Sequence, residues 1–159
     1  MIILGIDPGI ATAGWGVVEY KSSRFTTLGF GAITTPAKTP LPLRLNMVFE
    51  QAKKIVAEFS PTHVAIEELF FSKNVNTAFP VAQARGVLIL AAAQKEVPVF
   101  EYNPMQVKQA VVGYGKAEKH QVIAMVSTIL NLKTAPKLDD TADALAVAIC
   151  HAHSYRGLA

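Results

Sequence analysis

The sequence predicts an α/β domain built on a mixed five-stranded sheet with helices on both faces. Three observations carry that expectation: the order of the apolar segments, the change of their period from strand-like to helix-like along the chain, and a composition that supports a packed core. With 159 residues, 51% of them hydrophobic and 17% charged, the chain can bury a sizeable core and lacks the composition of a disordered protein. No repeat, low-complexity tract or linker divides it, so a single domain over residues 1–159 is expected.

Residues 1–6 are apolar without alternation, the pattern of a strand buried on both faces. Residues 14–20 and 25–34 follow as short strands separated by the polar turn Lys21-Ser22-Ser23-Arg24. Pro36, Pro40 and Pro42 mark a loop. Leu45, Val48, Phe49, Ala52, Ile55, Val56 and Phe59 then recur at three- and four-residue spacing, one face of a helix stopped by Ser60-Pro61. A strand over 63–66 leads into a polar-aromatic loop that runs to Asn76. A helix over 77–95, a strand over 97–102 and helices over 105–112, 117–131 and 140–153 complete the chain. Three leading strands suit an antiparallel meander, whereas the later β-α-β alternation requires right-handed parallel crossovers. This layout suits the ribonuclease-H-like fold, although element order alone fits other α/β domains as well.

The net charge is +3, mildly basic and insufficient by itself to indicate a nucleic-acid partner. Its distribution is more telling. Between Tyr102 and Leu138, Lys108, Lys116, Lys119, Lys133 and Lys137 face a single acid, Glu118. The lone Cys150, in an apolar run, excludes an internal disulfide and a thiolate zinc site. The apolar start is broken by Asp7-Pro8-Gly9, too early for a secretory signal, and no run approaches a membrane span, so a cytoplasmic location is expected.

The acids are the residues with chemistry. Asp7 follows directly on the first buried strand, and Glu67 ends the apolar run 63–66 in the same way. An unpaired carboxylate is costly in a core, so each must lie at its strand's end. Asp7 alone would pass for a turn residue in Asp-Pro-Gly. Neighbouring strand residues point to opposite faces, so only one of Glu67 and Glu68 can aim at a common site, and solvent exposure suits Glu68. Asp140 and Asp143 share one face at the start of a helix, where acids also serve as caps, the role that suits Asp139 best. In combination they point elsewhere. If the first and fourth strands are parallel neighbours, Asp7 and Glu67 emerge together at their carboxyl ends, the usual ligand edge of an α/β sheet, and the last helix can add Asp140 and Asp143. Four hard oxygen donors without clustered histidines or thiolates select Mg²⁺, with Mn²⁺ as substitute, over zinc. Two such ions sit ~3.5–4 Å apart in phosphodiester hydrolases. His63 falls in a strand, His120 opens a helix, and His151 and His153 are two apart and so on different helix faces, which suits structural or surface roles better than ligation.

Five ordered blocks give a resemblance: Ile-Leu-Gly-Ile-Asp-Pro-Gly with Gly-Trp-Gly-Val (3–9, 14–17), Ala-Ile-Glu-Glu-Leu-Phe-Phe (65–71), Gln-Ala-Arg-Gly (83–86), Gln-Val-Lys-Gln-Ala-Val-Val-Gly (106–113) and Asp-Thr-Ala-Asp-Ala-Leu-Ala (140–146). Together they resemble the RuvC family of crossover junction endodeoxyribonucleases, nearly end to end. The resemblance implies a ribonuclease-H-like fold, a homodimer, and Mg²⁺-dependent nicking of two opposed strands of a Holliday junction in homologous recombination and DNA repair. It implies that Asp7, Glu67, Asp140 and Asp143 are the catalytic and metal-binding acids. It further implies that Lys108 and Lys119 support cleavage on the DNA, that Phe70 is the junction-facing aromatic, and that the RuvA and RuvB branch-migration proteins are partners. Physically, the two lysines can hold phosphates or offset developing charge, and Phe70 can stack on an unpaired base; either could instead be an ordinary surface residue. The expected helix over 77–95 is apolar on more than one face, which suits a two-fold partner. Two other readings stay open at this point: a nuclease of the same fold acting on RNA, and a junction-binding module without catalysis.

Overall fold

In the computed structural model, which describes residues 1–70 and 75–156, five strands form one sheet of order β3-β2-β1-β4-β5. β1 (Ile2–Asp7), β2 (Thr12–Lys21) and β3 (Arg24–Thr34) are an antiparallel meander. β4 (His63–Glu67) and β5 (Val99–Tyr102) are then added parallel to β1. Each of these two arrives after a helix, α1 (Leu41–Phe59) and α2 (Val75–Ala93) respectively, as parallel pairing demands. α3 (Pro104–Val112), α4 (Lys119–Ile129) and α5 (Asp139–Ser154) close the fold. The mixed five-stranded sheet is as the sequence predicts.

Helices cover both faces. Leu4, Ile6, Val17, Val64 and Ile66 pack toward α1 and α2 with Val48, Val56 and Leu88. Ile3, Val18 and Ala65 pack on the opposite side with Leu145, Val147 and Ile149 of α5, and with Val107, Val122 and Val126 of α3 and α4. The helix boundaries depart from the sequence reading at their starts. α1 begins at Leu41, with Pro40 as its N-cap and Pro42 inside the first turn, where the sequence reading places a loop. A proline's missing N–H has no intrahelical partner to lose in that turn, so proline is tolerated there. α2 begins two residues before the expected Thr77 and contains Pro80. Gly113 is the left-handed C-cap of α3 (φ 82°).

α5 is the element that matters for function. Every residue from Thr141 to Ala152 except Asp143 is buried, because the helix is sandwiched between the sheet and α3/α4. Its alanines (142, 144, 146 and 148) meet glycines on the sheet. A Cβ on Gly5 would collide with the Ala144 carbonyl and with Ala148, and one on Gly14 would collide with the Asp140 carbonyl. The helix backbone therefore rests almost directly on β1 and β2. Thr141 fastens it there, its hydroxyl donating to the Gly31 carbonyl at 3.1 Å.

Gly14→Ala should therefore push the first turn of α5 off the sheet. The expected cost is about 2–4 kcal/mol of stability, at the upper end for overpacking because the obstacle is backbone. Chemical denaturation measures it; a loss below about 0.5 kcal/mol would show that α5 is free to shift.

Candidate active site

The parallel register of β1 and β4 pairs Ile3 with His63 and continues to Ile6 with Ile66. One residue further, Asp7 and Glu67 leave the two strands side by side, about 4.8 Å apart along the sheet. Side chains alternate in a strand, so Asp7 shares the face of Gly5, the face on which α5 lies. The Glu67 carboxyl is hydrogen-bonded to that of Asp7. Glu68, next in sequence, has its N–H committed to the Tyr102 carbonyl at 2.9 Å.

α5 brings Asp140 and Asp143 to the same place. Its N-cap is Leu138, with no side-chain cap, so none of Asp139, Asp140 and Asp143 serves as the capping residue. Asp139 is exposed and lies 3.6 Å from Lys119 Nζ. Asp143 is more enclosed and holds the same ammonium at 2.9 Å. Lys119 is the first residue of α4, so packing of α4 against α5 delivers the cation to the acids. Lys108 lies close enough for its charge to favour the ionised form of Glu67. Phe70, three residues past Glu67, is 66% exposed. Phe71 lies outside the described residues.

Protonation follows from this crowding. Burial pushes Asp7 from its ordinary 3.8 up to about 8, and the charges of Glu67, Asp143 and Asp140 add to the effect. Glu67 is raised by burial and by Asp143, against the hydrogen bond to Asp7 and the two lysines. Asp143 is raised by burial in spite of Lys119. Burial opposes the charge on Lys119, but the hydrogen bond to Asp143 and the surrounding acids carry its pKa upward. Among the described residues no three of these acids converge closely enough to hold a metal ion as they stand; the Asp143 carboxylate accepts from Lys119 instead. Their chemistry nevertheless fits a hard divalent cation, since four carboxylates share a poorly solvated site with one close ammonium.

Two features escaped the sequence reading. Arg85 of α2 donates from Nε to the Glu67 carbonyl at 3.2 Å and pairs through its guanidinium with Glu101. It thus ties the end of β4 to β5; in the sequence it figures only as part of the Gln-Ala-Arg-Gly block, with no role of its own. The histidines, set aside as non-ligating, include a buried chain: Tyr102 Oη lies 2.8 Å from His151 Nδ1, and His151 Nε2 lies 2.8 Å from His63 Nδ1. Phe100 and Tyr155 pack their rings against it. Burial and the neighbouring His63 lower His151 to about 4, so it is neutral near pH 7. His153 faces elsewhere, toward the Ala110 carbonyl and Phe25, and His120 is exposed beside Glu118.

A family model described as crossover junction endodeoxyribonuclease RuvC matches residues 3–151. The chain belongs to the RuvC family. It is 58% identical over 154 residues to the RuvC of Clostridioides difficile (strain 630), covering 97% of this chain and 91% of that one. Against the RuvC of Alkaliphilus oremlandii the identity is 56%, with 97% and 94% covered. Among solved structures, Thermus thermophilus RuvC in complex with a Holliday junction substrate superimposes with a TM-score of 0.91 at 40% identity, over 96% of this chain and 93% of the other. The yeast mitochondrial Holliday junction resolvase, at 13% identity and a TM-score of 0.67, shares the fold alone. The fold is thus that of RuvC and related ribonuclease-H-like resolvases.

The raised Asp7 pKa has a sign that can be measured. Between pH 3.8 and about 8 the folded protein holds a proton on Asp7 that the unfolded chain has released. Its contribution to stability is complete below that window and is lost as pH rises through 8. His63 and His151, held below their ordinary pKa, and Cys150, raised to about 11, also link stability to pH between 6.5 and 8.5, so the Asp7 contribution is read as the difference between the wild type and Asp7→Asn over that scan. The metal-free melting temperature should fall over that scan. Asp7→Asn should flatten the fall and raise the melting temperature at pH 8 by roughly 3–10 °C. Equal slopes for the two proteins would rule out Asp7 as the buried acid.

Proposed function

We propose that this protein is a metal-dependent endonuclease that resolves Holliday junctions by symmetric nicking of two opposed DNA strands, in homologous recombination and DNA repair. One cytoplasmic nuclease domain over residues 1–159 carries the activity. The observation behind this reading is the enclosure of Asp7 by Glu67, Asp140 and Asp143 at the carboxyl edge of the sheet, in a chain of the RuvC family. The solved relative bound to a Holliday junction supports the substrate class.

Asp7, Glu67, Asp140 and Asp143 would hold Mg²⁺, with Mn²⁺ as a substitute. The chemistry a bound pair would supply is activation of a water and stabilisation of the leaving oxygen of the phosphodiester. The chain's own contribution is placement. β1 and β4 present two carboxylates at fixed separation, α5 presents the other two, and Arg85 holds the backbone of Glu67 in place. Lys119, on the rim of the cluster, is positioned to take a phosphate oxygen, and Lys108 lends its charge from α3. Phe70, exposed beside Glu67, stacks on a base unpaired at the junction. A duplex shields such a base, so this arrangement favours branched DNA.

The homodimer is assigned to α2. Phe79, Gln83, Gly86 and Leu90 are exposed on one uncharged stripe of this helix, spaced at four, three and four residues. A Cβ on Gly86 would meet nothing within 4 Å, which leaves a notch where a second helix can approach. A two-fold pair would present two acid clusters to a two-fold junction. RuvA and RuvB, the branch-migration proteins, are the partners proposed from family membership.

With Mg²⁺ and a synthetic mobile junction, cuts should map to symmetric positions on opposed strands, and duplex or RNA should be spared. Asp7→Asn should lower nicking by at least about 10³-fold while junction binding persists; full activity in that variant would defeat the mechanism. Leu90→Lys should yield a folded monomer in sedimentation that no longer makes paired cuts, and an unchanged dimer would move the interface off α2.

A further inference from the structure

Beyond the acids on the same edge of the sheet lies an open, largely apolar pocket lined by Phe70, Asn103, Pro104, Met105 and Gln106. Its position is set by strand register. Tyr102 pairs with Glu67 across β4 and β5, and Asn103 is the next residue. The pocket thus opens about one strand spacing, roughly 5 Å, to the side of Glu67. Phe70 and Met105 are each 66% exposed on it, an unusual placement for two large apolar side chains in one hollow.

The polar groups of the pocket are oriented by the start of α3. Asn103 is the N-cap of that helix; its Oδ1 accepts from the Gln106 N–H at 2.9 Å, while Gln106 Oε1 accepts from the Asn103 N–H at 2.9 Å. This reciprocal cap fixes which end of each amide is used. Both oxygens are turned to the backbone, so both NH₂ groups remain as donors, without a protein partner among the described residues. A site with an aromatic face, an aliphatic wall and two fixed donors, flanked one turn later by Lys108, matches an unstacked nucleobase followed by its phosphate.

We infer that this pocket is a base-reading subsite and that Asn103 and Gln106 are specificity-determining residues for cleavage. The inference rests on the nuclease reading above and adds to it which base is read. A base held by its major-groove edge meets these two donors with acceptors alone if it is a keto base, and with a competing amino donor if it is not. Keto bases, thymine with O4 and guanine with O6, are favoured at the position beside the cut, and amino bases, cytosine with N4 and adenine with N6, are disfavoured. Met105 adds apolar contact for a base held against Phe70.

The test uses synthetic junctions that carry each of the four bases at the two positions on either side of the mapped cut, with single-turnover rates measured in Mg²⁺. Asn103→Asp and Gln106→Glu retain the oxygen that caps α3 and replace the NH₂ donor with an acceptor. The readout is the ratio of keto-base to amino-base rates within each protein, so general repulsion of DNA by the new charge cancels. At one position the wild-type ratio should exceed about tenfold, and each variant should reduce or invert it. Met105→Ala should lower rates on all bases at that position while leaving the ratio in place. Ratios unchanged in both acidic variants, or no keto preference in the wild type at any position, would overturn the subsite. A wild-type protein that leaves every junction intact would overturn the nuclease reading, and this subsite with it.

Discussion

The fold depends on one close approach, the contact of α5 with β1 and β2. Three helix-facing positions of the sheet, 5, 14 and 16, are glycine and the facing helix positions are largely alanine, so at Gly5 and Gly14 backbone meets backbone with almost no side chain between. A layer of ordinary side chains would hold a helix about 10 Å from the sheet, and the acids of α5 would then stand away from those of β1 and β4. Removing that layer lets Asp140 and Asp143 join Asp7 and Glu67. Part of the core volume is thus given up to bring four carboxylates together, and the dense packing of α3 and α4 against the outer side of α5 offsets that loss.

The acids in turn oppose the fold that gathers them. Carboxylates of like charge, partly removed from water, favour protons or cations over one another. Lys119 compensates some of that charge at Asp143, and Asp7 remains the member least able to ionise. The cluster is best satisfied when something positive is bound, which joins stability to function at one place. Arg85 works from the other side of β4: it accepts no role in charge balance at the site, yet its hydrogen bond to the Glu67 carbonyl keeps the strand end from relaxing away from its neighbours.

Much of this was legible in the sequence, for identifiable reasons. The unalternating run 1–6 and the acids directly after two apolar runs gave the parallel edge and Asp7 with Glu67, because a buried strand has no other place for a charge. The order of elements gave the mixed sheet. What was not legible depends on distant partners. Whether Asp139 and Asp140 cap a helix turns on how Leu138 enters it; the roles of Arg85 and of His63 and His151 turn on contacts between residues far apart in the chain. Pro42 misled because proline reads as a loop signal, although the first turn of a helix accepts it. Glycines 5 and 14 read as local turn or strand residues, and only the packed helix explains them.

The chain formed by Tyr102, His151 and His63 gives α5 a mechanical character. Its C-terminal half is clamped between aromatic rings and bonded to two strands, while its N-terminal half bears the mutually repelling acids. The helix is a beam held at both ends, by Thr141 on Gly31 at its start and by His151 on β4 and β5 near its finish. The load of like charges falls on a span fixed on either side, so the carboxylates cannot relieve their repulsion by letting the helix swing away from the sheet.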